Sequence, residues 1–143
     1  MDAKNLEKQI KEYNAKLELL GQKSIEFAIR GNDVILVDAR DIKGTFRVPN
    51  FVSVIDKFSF RWSKIKNVYI PASVKIIGKW AFSGCSELKE VIMEDGVEII
   101  EDSAFEESEA LEKVKLSNKI DTIGSSAFCR CRSLVDIELP KSL

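Results

Sequence analysis

The chain has 143 residues, 45% of them hydrophobic and 31% charged, with a formal net charge of −1. That length and composition suit one globular domain with its own core. The charge balance gives no overall attraction to nucleic acid or an anionic membrane, and no run approaches the ~18 apolar residues of a membrane span.

Residues 3–20 read as an amphipathic helix. Leu6, Ile10, Tyr13, Leu17 and Leu20 recur at i, i+4, i+7, i+11 and i+14, one narrow stripe among lysines and glutamates. Gly21 is placed as the stop. Asp2 and Glu7, with no apolar h-region, argue against a secretory signal, so the chain as written reads as cytoplasmic. Residues 24–30 and 33–38 alternate (Ile25, Phe27, Ile29; Val34, Leu36) around Gly31-Asn32-Asp33, the pattern of a β-hairpin. Helix and hairpin make residues 1–47 an N-terminal cap. The helix either covers the open end of the residues from 48 onward or pairs its stripe with another chain.

From residue 48 the chain repeats. Phe82, Phe105 and Phe128 stand 23 residues apart, preceded by Ala81, Ala104 and Ala127. Val74, Val97 and Ile120 keep the same spacing, as do Ile77, Ile100 and Ile123. So do Leu88, Leu111 and Leu134, then Val91, Val114 and Ile137, then Met93, Leu116 and Leu139. Upstream, Val48, Pro49, Val52, Ile55 and Phe60 match at a spacing of 22, and Ile65, Val68 and Ile70 at 23. One residue is therefore missing between Phe60 and Ile65. Residues 48–143 divide into repeats 48–69, 70–92, 93–115 and 116–138, with 139–143 opening a fifth. A fixed period of this length marks a solenoid.

Within one repeat, Val91 and Met93 alternate with Glu90 and Ile92, the period of a strand with one buried face. Stacked repeats predict a parallel sheet at 68–70, 91–93, 114–116 and 137–139, with Pro71 and Pro140 closing the first and last strands. A second apolar pair, such as Val74 and Ile77, begins the return path, and Gly78 or Gly124 permits a tight turn. Residues 79–85 are too short for an independent helix. They form a turn or a single helical coil on the outer face and drive Phe82 inward, giving a ladder of stacked phenylalanine rings.

The run from Pro71 to Met93 reads Pro-x-x-Val-x-x-Ile-Gly-x-x-Ala-Phe-x-x-Cys-x-x-Leu-x-x-Val-x, with Met93 where the pattern ends in Ile. It resembles the BspA-like class of leucine-rich repeats. The segment from Phe27 to Val52, with Gly44-Thr45-Phe46-Arg47-Val48-Pro49, looks like the lead-in such proteins place before their first full repeat. The resemblance covers roughly residues 26–143. It implies an α/β repeat fold: a leucine-rich-repeat solenoid with a short curved parallel sheet, turns and short helical coils on the outer face, and an N-terminal capping helix and β-hairpin. It also implies protein binding, often in bacterial surface or host-contact proteins, without a catalytic site. The repeat at 93–115 departs from the pattern, with Glu101 for Gly and Ser108 for Cys, and the chain carries no secretion signal.

The chemistry of single residues adds little. Cys85 and Cys131 occupy one column two repeats apart, so strand spacing sets them roughly 9–10 Å apart, beyond the ~7 Å limit for a disulfide. Both read as small buried thiols. Cys129 has no histidine and no second cysteine pair to join it in a structural zinc site, so neither metal nor cofactor is expected. The lack of histidine removes Ser-His and Cys-His nucleophile pairs, and no glycine-rich phosphate loop is present, so no enzyme is expected. Nine acids and no Lys or Arg lie between Glu94 and Glu112, either a solvated face or a docking patch for a basic partner. Arg61, Lys64, Lys66, Lys75 and Lys89, with Trp62 and Tyr69, offer a stripe for single-stranded nucleic acid. The neighbouring acidic repeat would repel a phosphate backbone, which disfavours that partner.

The expected contact face is the concave strand row, with Lys66, Asn67, Tyr69, Lys89, Glu90, Ile92, Lys113 and Lys115 pointing outward. Tyr69 and Ile92 share a column in adjacent repeats, an aromatic beside an aliphatic, the kind of pair that anchors an interface; isolated surface apolar residues are also ordinary. The functional expectation is a non-catalytic protein-binding module. Two others stay open: a fragment of a bacterial surface adhesin, and a small stand-alone inhibitor blocking a larger enzyme or defence complex. Nothing after Leu139 resembles a polar cap, so the Phe128 repeat should expose an apolar face. Truncation would explain it, as would homo-oligomerisation through that repeat; the N-terminal helix is the other candidate surface for a second copy.

Overall fold

A computed structural model describes residues 2–140. The first element is α1 (Ala3–Leu19), capped by Asp2, whose carboxylate accepts from the Asn5 N–H at 3.0 Å. It ends in a Schellman turn: the Gly21 N–H donates to the Glu18 carbonyl and the Gln22 N–H to the Leu17 carbonyl, with Gly21 at φ +76°. Leu6 and Leu17 are buried, and Tyr13 packs edge-on against Phe27 and Phe51. Leu20, expected in the same stripe, is 79% exposed. The helix has already ended at Leu19, so Leu20 no longer follows its period.

The hairpin forms as expected, β1 (Glu26–Arg30) antiparallel to β2 (Asp33–Asp38). From β2 onward two sheets grow in parallel. The longer continues through β4 (Val54–Ile55), β6 (Ile76–Ile77), β8 (Ile99–Ile100) and β10 (Thr122–Ile123), giving the order β1-β2-β4-β6-β8-β10. The other joins β3 (Lys43–Arg47), β5 (Lys64–Ile70), β7 (Glu90–Met93), β9 (Lys113–Lys115) and β11 (Asp136–Glu138), all parallel.

This five-stranded sheet is the one the repeat pattern predicts, although β9 and β11 each begin and end one residue earlier than 114–116 and 137–139. The apolar period marks the inward residues Val114 and Leu116, whereas the ladder is set by backbone pairing from Lys113. The long sheet corresponds to what reads in sequence as a return path. Its repeat strands are two residues each, too short to alternate visibly.

The third side of each coil consists of turns, the first of the two forms expected there; α1 is the one helix among the described residues. Donors alternate in direction. Ala81 N–H bonds Gly78 within its own coil at 3.1 Å, Phe82 N–H reaches the Ala104 carbonyl of the next coil at 2.7 Å, Ser83 returns to Trp80, and Gly84 reaches Glu106 at 2.9 Å. A helix would use every N–H internally; here alternate ones tie coil to coil. The path requires left-handed backbone at Phe58, Trp80, Ser103 and Ser126 in one column and at Trp62, Gly84, Glu107 and Arg130 in the next, all with φ between +54° and +64°.

Inside, the phenylalanine ladder exists. Phe60 and Phe82 stack at 4.7 Å, Phe82 and Phe105 at 5.1 Å, and Phe105 and Phe128 at 5.2 Å, with planes within 9°. Phe60, Phe82 and Phe105 are fully buried. Phe128 is half-buried, and Val135 (86% exposed) and Leu139 are open at that end, the apolar face anticipated there. Residues 141–143 of the partial repeat lie outside the described residues. All three cysteines are free, with Cys85 buried and Cys131 half-buried.

Candidate protein interface

The outward face of the five-stranded sheet follows from its burial. Val68, Ile70, Val91 and Met93 are buried, so the residues between them project to solvent. Strand register arranges them in two rows. One runs Thr45, Asn67, Glu90, Lys113, Asp136; the other runs Arg47, Tyr69, Ile92, Lys115, Glu138. In the first row, charge alternates from Glu90 to Lys113 to Asp136, and neighbouring opposite charges favour this register.

Tyr69 and Ile92 are direct neighbours, both half-buried. The Arg47 guanidinium lies 4.2 Å from the Tyr69 ring centroid, a cation–π contact. The Asn67 amide donates to the Thr45 hydroxyl at 3.1 Å. Lys66 is set apart by a bulge: Gly44 pairs with Ile65 and Thr45 with Asn67, which leaves Lys66 as the extra residue.

The eight expected contact residues come to one side of the molecule but not to one site. Tyr69 and Ile92 share an open groove of about 490 Å³ with Tyr13, Arg47, Pro49, Asn50 and Glu94. Lys66, Asn67 and Lys89 border a separate hollow of about 510 Å³ together with Ser86, Glu87 and Ala110. Glu90, Lys113 and Lys115 stand on the strands outside both. Sequence reasoning missed Arg47, Glu94 and Tyr13. Arg47 was within reach, because the 22-residue spacing that pairs Val48 with Ile70 also pairs Arg47 with Tyr69. Tyr13 arrives from the helix, outside any repeat; burial pushes its phenol up to about 12.

The basic stripe considered for nucleic acid is divided, with Lys66 and Lys89 kept together at one hollow and the others spread to different sides. Arg61 and Trp62 belong to the turn side, where the guanidinium lies 4.2 Å from the Trp62 ring centroid. Lys64 and Lys66 are on β5, and Lys75, just before β6, donates to the Ala72 carbonyl at 3.3 Å. The acidic repeat is partly structural. Asp95 accepts from the Asn118 N–H at 2.9 Å, which holds its carboxyl below the usual range, and Asp102 accepts from the Ser125 N–H at 2.8 Å. Glu107 pairs with Arg130 at 3.3 Å and Glu109 with Arg132 at 3.9 Å, both exposed and worth little each. Among the described residues, no three potential metal ligands converge, and no helix is long and apolar enough to cross a membrane.

The family model described as a BspA type leucine rich repeat region (6 copies) matches residues 53–143. A leucine-rich repeat protein from Bacteroides capillosus has a similar structure, with a TM-score of 0.69 and 20% identity over 80% of this chain and 94% of that one. The T. pallidum leucine-rich repeat protein gives 0.60 and 20%, over 81% and 69%. A leucine-rich cell surface protein from Faecalibacterium prausnitzii gives 0.57 and 24%, over 80% of this chain but 38% of that one. The chain thus spans well under half the length of the Faecalibacterium protein. These likenesses concern the fold. Comparison with curated proteins yields no match.

Proposed function

This chain belongs to the BspA-type leucine-rich-repeat family, and from that premise we propose that it is a non-catalytic module that binds another protein through the outward face of its five-stranded sheet. Tyr69 and Ile92 are the anchors. The observation that carries the reading is their register: neighbours on adjacent strands, in one groove, with Arg47 stacked on Tyr69. Tyr and Arg dominate interface energetics because they bring large area with a polar tip, and a rigid parallel ladder holds them in place. Lys66, Asn67, Lys89, Glu90, Lys113 and Lys115 surround the anchors, where they steer orientation and encounter more than they add affinity.

Capture from the native source with the full chain tests this. A stoichiometric partner retained by the wild type and lost with Tyr69→Ala/Ile92→Ala, at unchanged thermal stability, supports the reading. Equal retention by both proteins, or no stoichiometric partner, removes it.

A second reading, a surface-type module, draws on the Faecalibacterium protein, which is described as a cell surface protein. The same sheet face would then meet a host or neighbouring-cell protein. A signal peptide or wall anchor in a longer parent sequence would favour it, and a complete cytoplasmic open reading frame would count against it.

A further inference from the structure

We propose that the free edge of β1 takes an extended segment of another protein as an added strand of the long sheet. Every pairing from β2 to β10 in that sheet is parallel, whereas β1 runs antiparallel to β2. β1 is the terminal strand of that sheet, and among the described residues no strand pairs with its outer side. Among the described residues, no element other than β2 hydrogen-bonds to the backbone of Glu26–Arg30. Alternate N–H and C=O groups along that side lack partners, and another extended backbone is what matches their spacing.

A wall stands beside this edge. Between α1 and β1 lies an open groove of about 560 Å³ lined by Glu7, Ile10, Lys11, Phe27 and Ile29. Phe27 and Ile29 are two residues apart and so share one face of the strand. A strand laid along β1 about 4.8 Å away would place its own alternate side chains over this apolar floor. Exposed Glu26 and Arg30 close the two ends. The usual protections of an edge are proline, inward charge, a bulge or a covering helix; α1 bonds the chain just before the strand, where the Asn14 side chain takes both backbone groups of Ile25. Here the bulge lies in the partner strand, where Val37 is the extra residue opposite Glu26 and Phe27, so β1 itself is regular throughout.

Charge complementarity sets the ligand. In antiparallel pairing an acidic residue faces Arg30 and a basic one faces Glu26. The segment therefore reads acidic, apolar, any, apolar, basic from its N-terminus. This groove shares no lining residue with the Tyr69–Ile92 groove, so Tyr69→Ala/Ile92→Ala distinguishes failure of one proposal from failure of the other.

The test titrates the full chain into a fluorescein-labelled peptide, Gly-Ser-Asp-Val-Thr-Val-Lys-Ser-Gly, and reads anisotropy. Saturable binding is expected, with slowed amide exchange across residues 26–30. Arg30→Glu should weaken it about tenfold or more, and a peptide with Asp and Lys exchanged should bind Glu26→Arg/Arg30→Glu as the original binds wild type. Tyr69→Ala/Ile92→Ala should leave it unchanged. N-methylation of the two valines and N-methylation of Thr and Lys should differ: one set abolishes binding and the other spares it, because alternate N–H groups face β1. No binding up to about 1 mM, or equal tolerance of both N-methylated sets, overturns the proposal. So does a concentration-dependent dimer, broken by Arg30→Glu and indifferent to the peptide, which would make the occupant a second copy.

Discussion

The Ser108 hydroxyl donates to the Phe82 carbonyl of the preceding coil at 2.7 Å. Cys85 and Cys131 stand in the same column, and their thiols donate to the Phe60 and Phe105 carbonyls at 3.1 Å each. The column therefore fastens each coil to the one before it, at the foot of the ring ladder. Serine in place of cysteine keeps the bond, because a hydroxyl is also a donor of the right reach.

Ser108→Ala should cost about 1–3 kcal/mol, the penalty for leaving a buried carbonyl without its partner. Ser108→Cys should recover most of that. Urea denaturation with an unchanged m-value decides it; equal stability of Ser108→Ala and wild type would show the bond to be incidental.

Phe105 is covered on both faces, by Phe82 and Phe128. Phe105→Ala should lose about 3–5 kcal/mol, and half-buried Phe128→Ala distinctly less. Thermal melts of the pair check the ordering, and an equal loss at both positions contradicts the stacking account.

Much of this was legible in the residues. The 23-residue columns predict the ring ladder, the parallel sheet and the buried Cys85 thiol, because each inward position packs on its own copy one coil away. Cys131, expected to be buried too, is half-buried because no further coil covers its side among the described residues. Three features were not. The left-handed residues of the turn side include Trp80, Ser103, Glu107 and Arg130, where glycine, the usual marker of such backbone, is absent. The strands pairing at Ile76, Ile99 and Thr122 are two residues long, below any visible period. The groove at Tyr69 draws Tyr13 from a helix whose packing no repeat encodes.

Burial pushes the Cys85 thiol from 9.0 up to about 11. The folded state then holds this proton more tightly than the unfolded chain, so the contribution is whole below pH 9 and is lost as pH rises through 9 to 11. Its size is on the order of 3 kcal/mol at most. Cys85→Ser keeps a donor and removes the titration, so its stability should fall less steeply over that window. Tyr13, raised from 10.0 to about 12, adds a later loss in both proteins. Parallel curves for wild type and Cys85→Ser would contradict the assignment.

Gly84 combines φ +64° with a position against the Trp62 ring, which an added Cβ would strike. Gly84→Ala should destabilise by about 1–3 kcal/mol and displace Trp62, now 65% exposed beneath Arg61. Tryptophan emission in Gly84→Ala on a Trp80→Phe background isolates that ring; an unshifted spectrum would mean the turn column tolerates a side chain there.

The most direct measurement places a photocrosslinking amino acid at Ile92, and separately at Lys75 on the other sheet's side, in the full chain within its native milieu. The account predicts one discrete adduct from position 92, lost with Tyr69→Ala, and none of that mass from position 75. The same adduct from both positions, or from 75 alone, would contradict it.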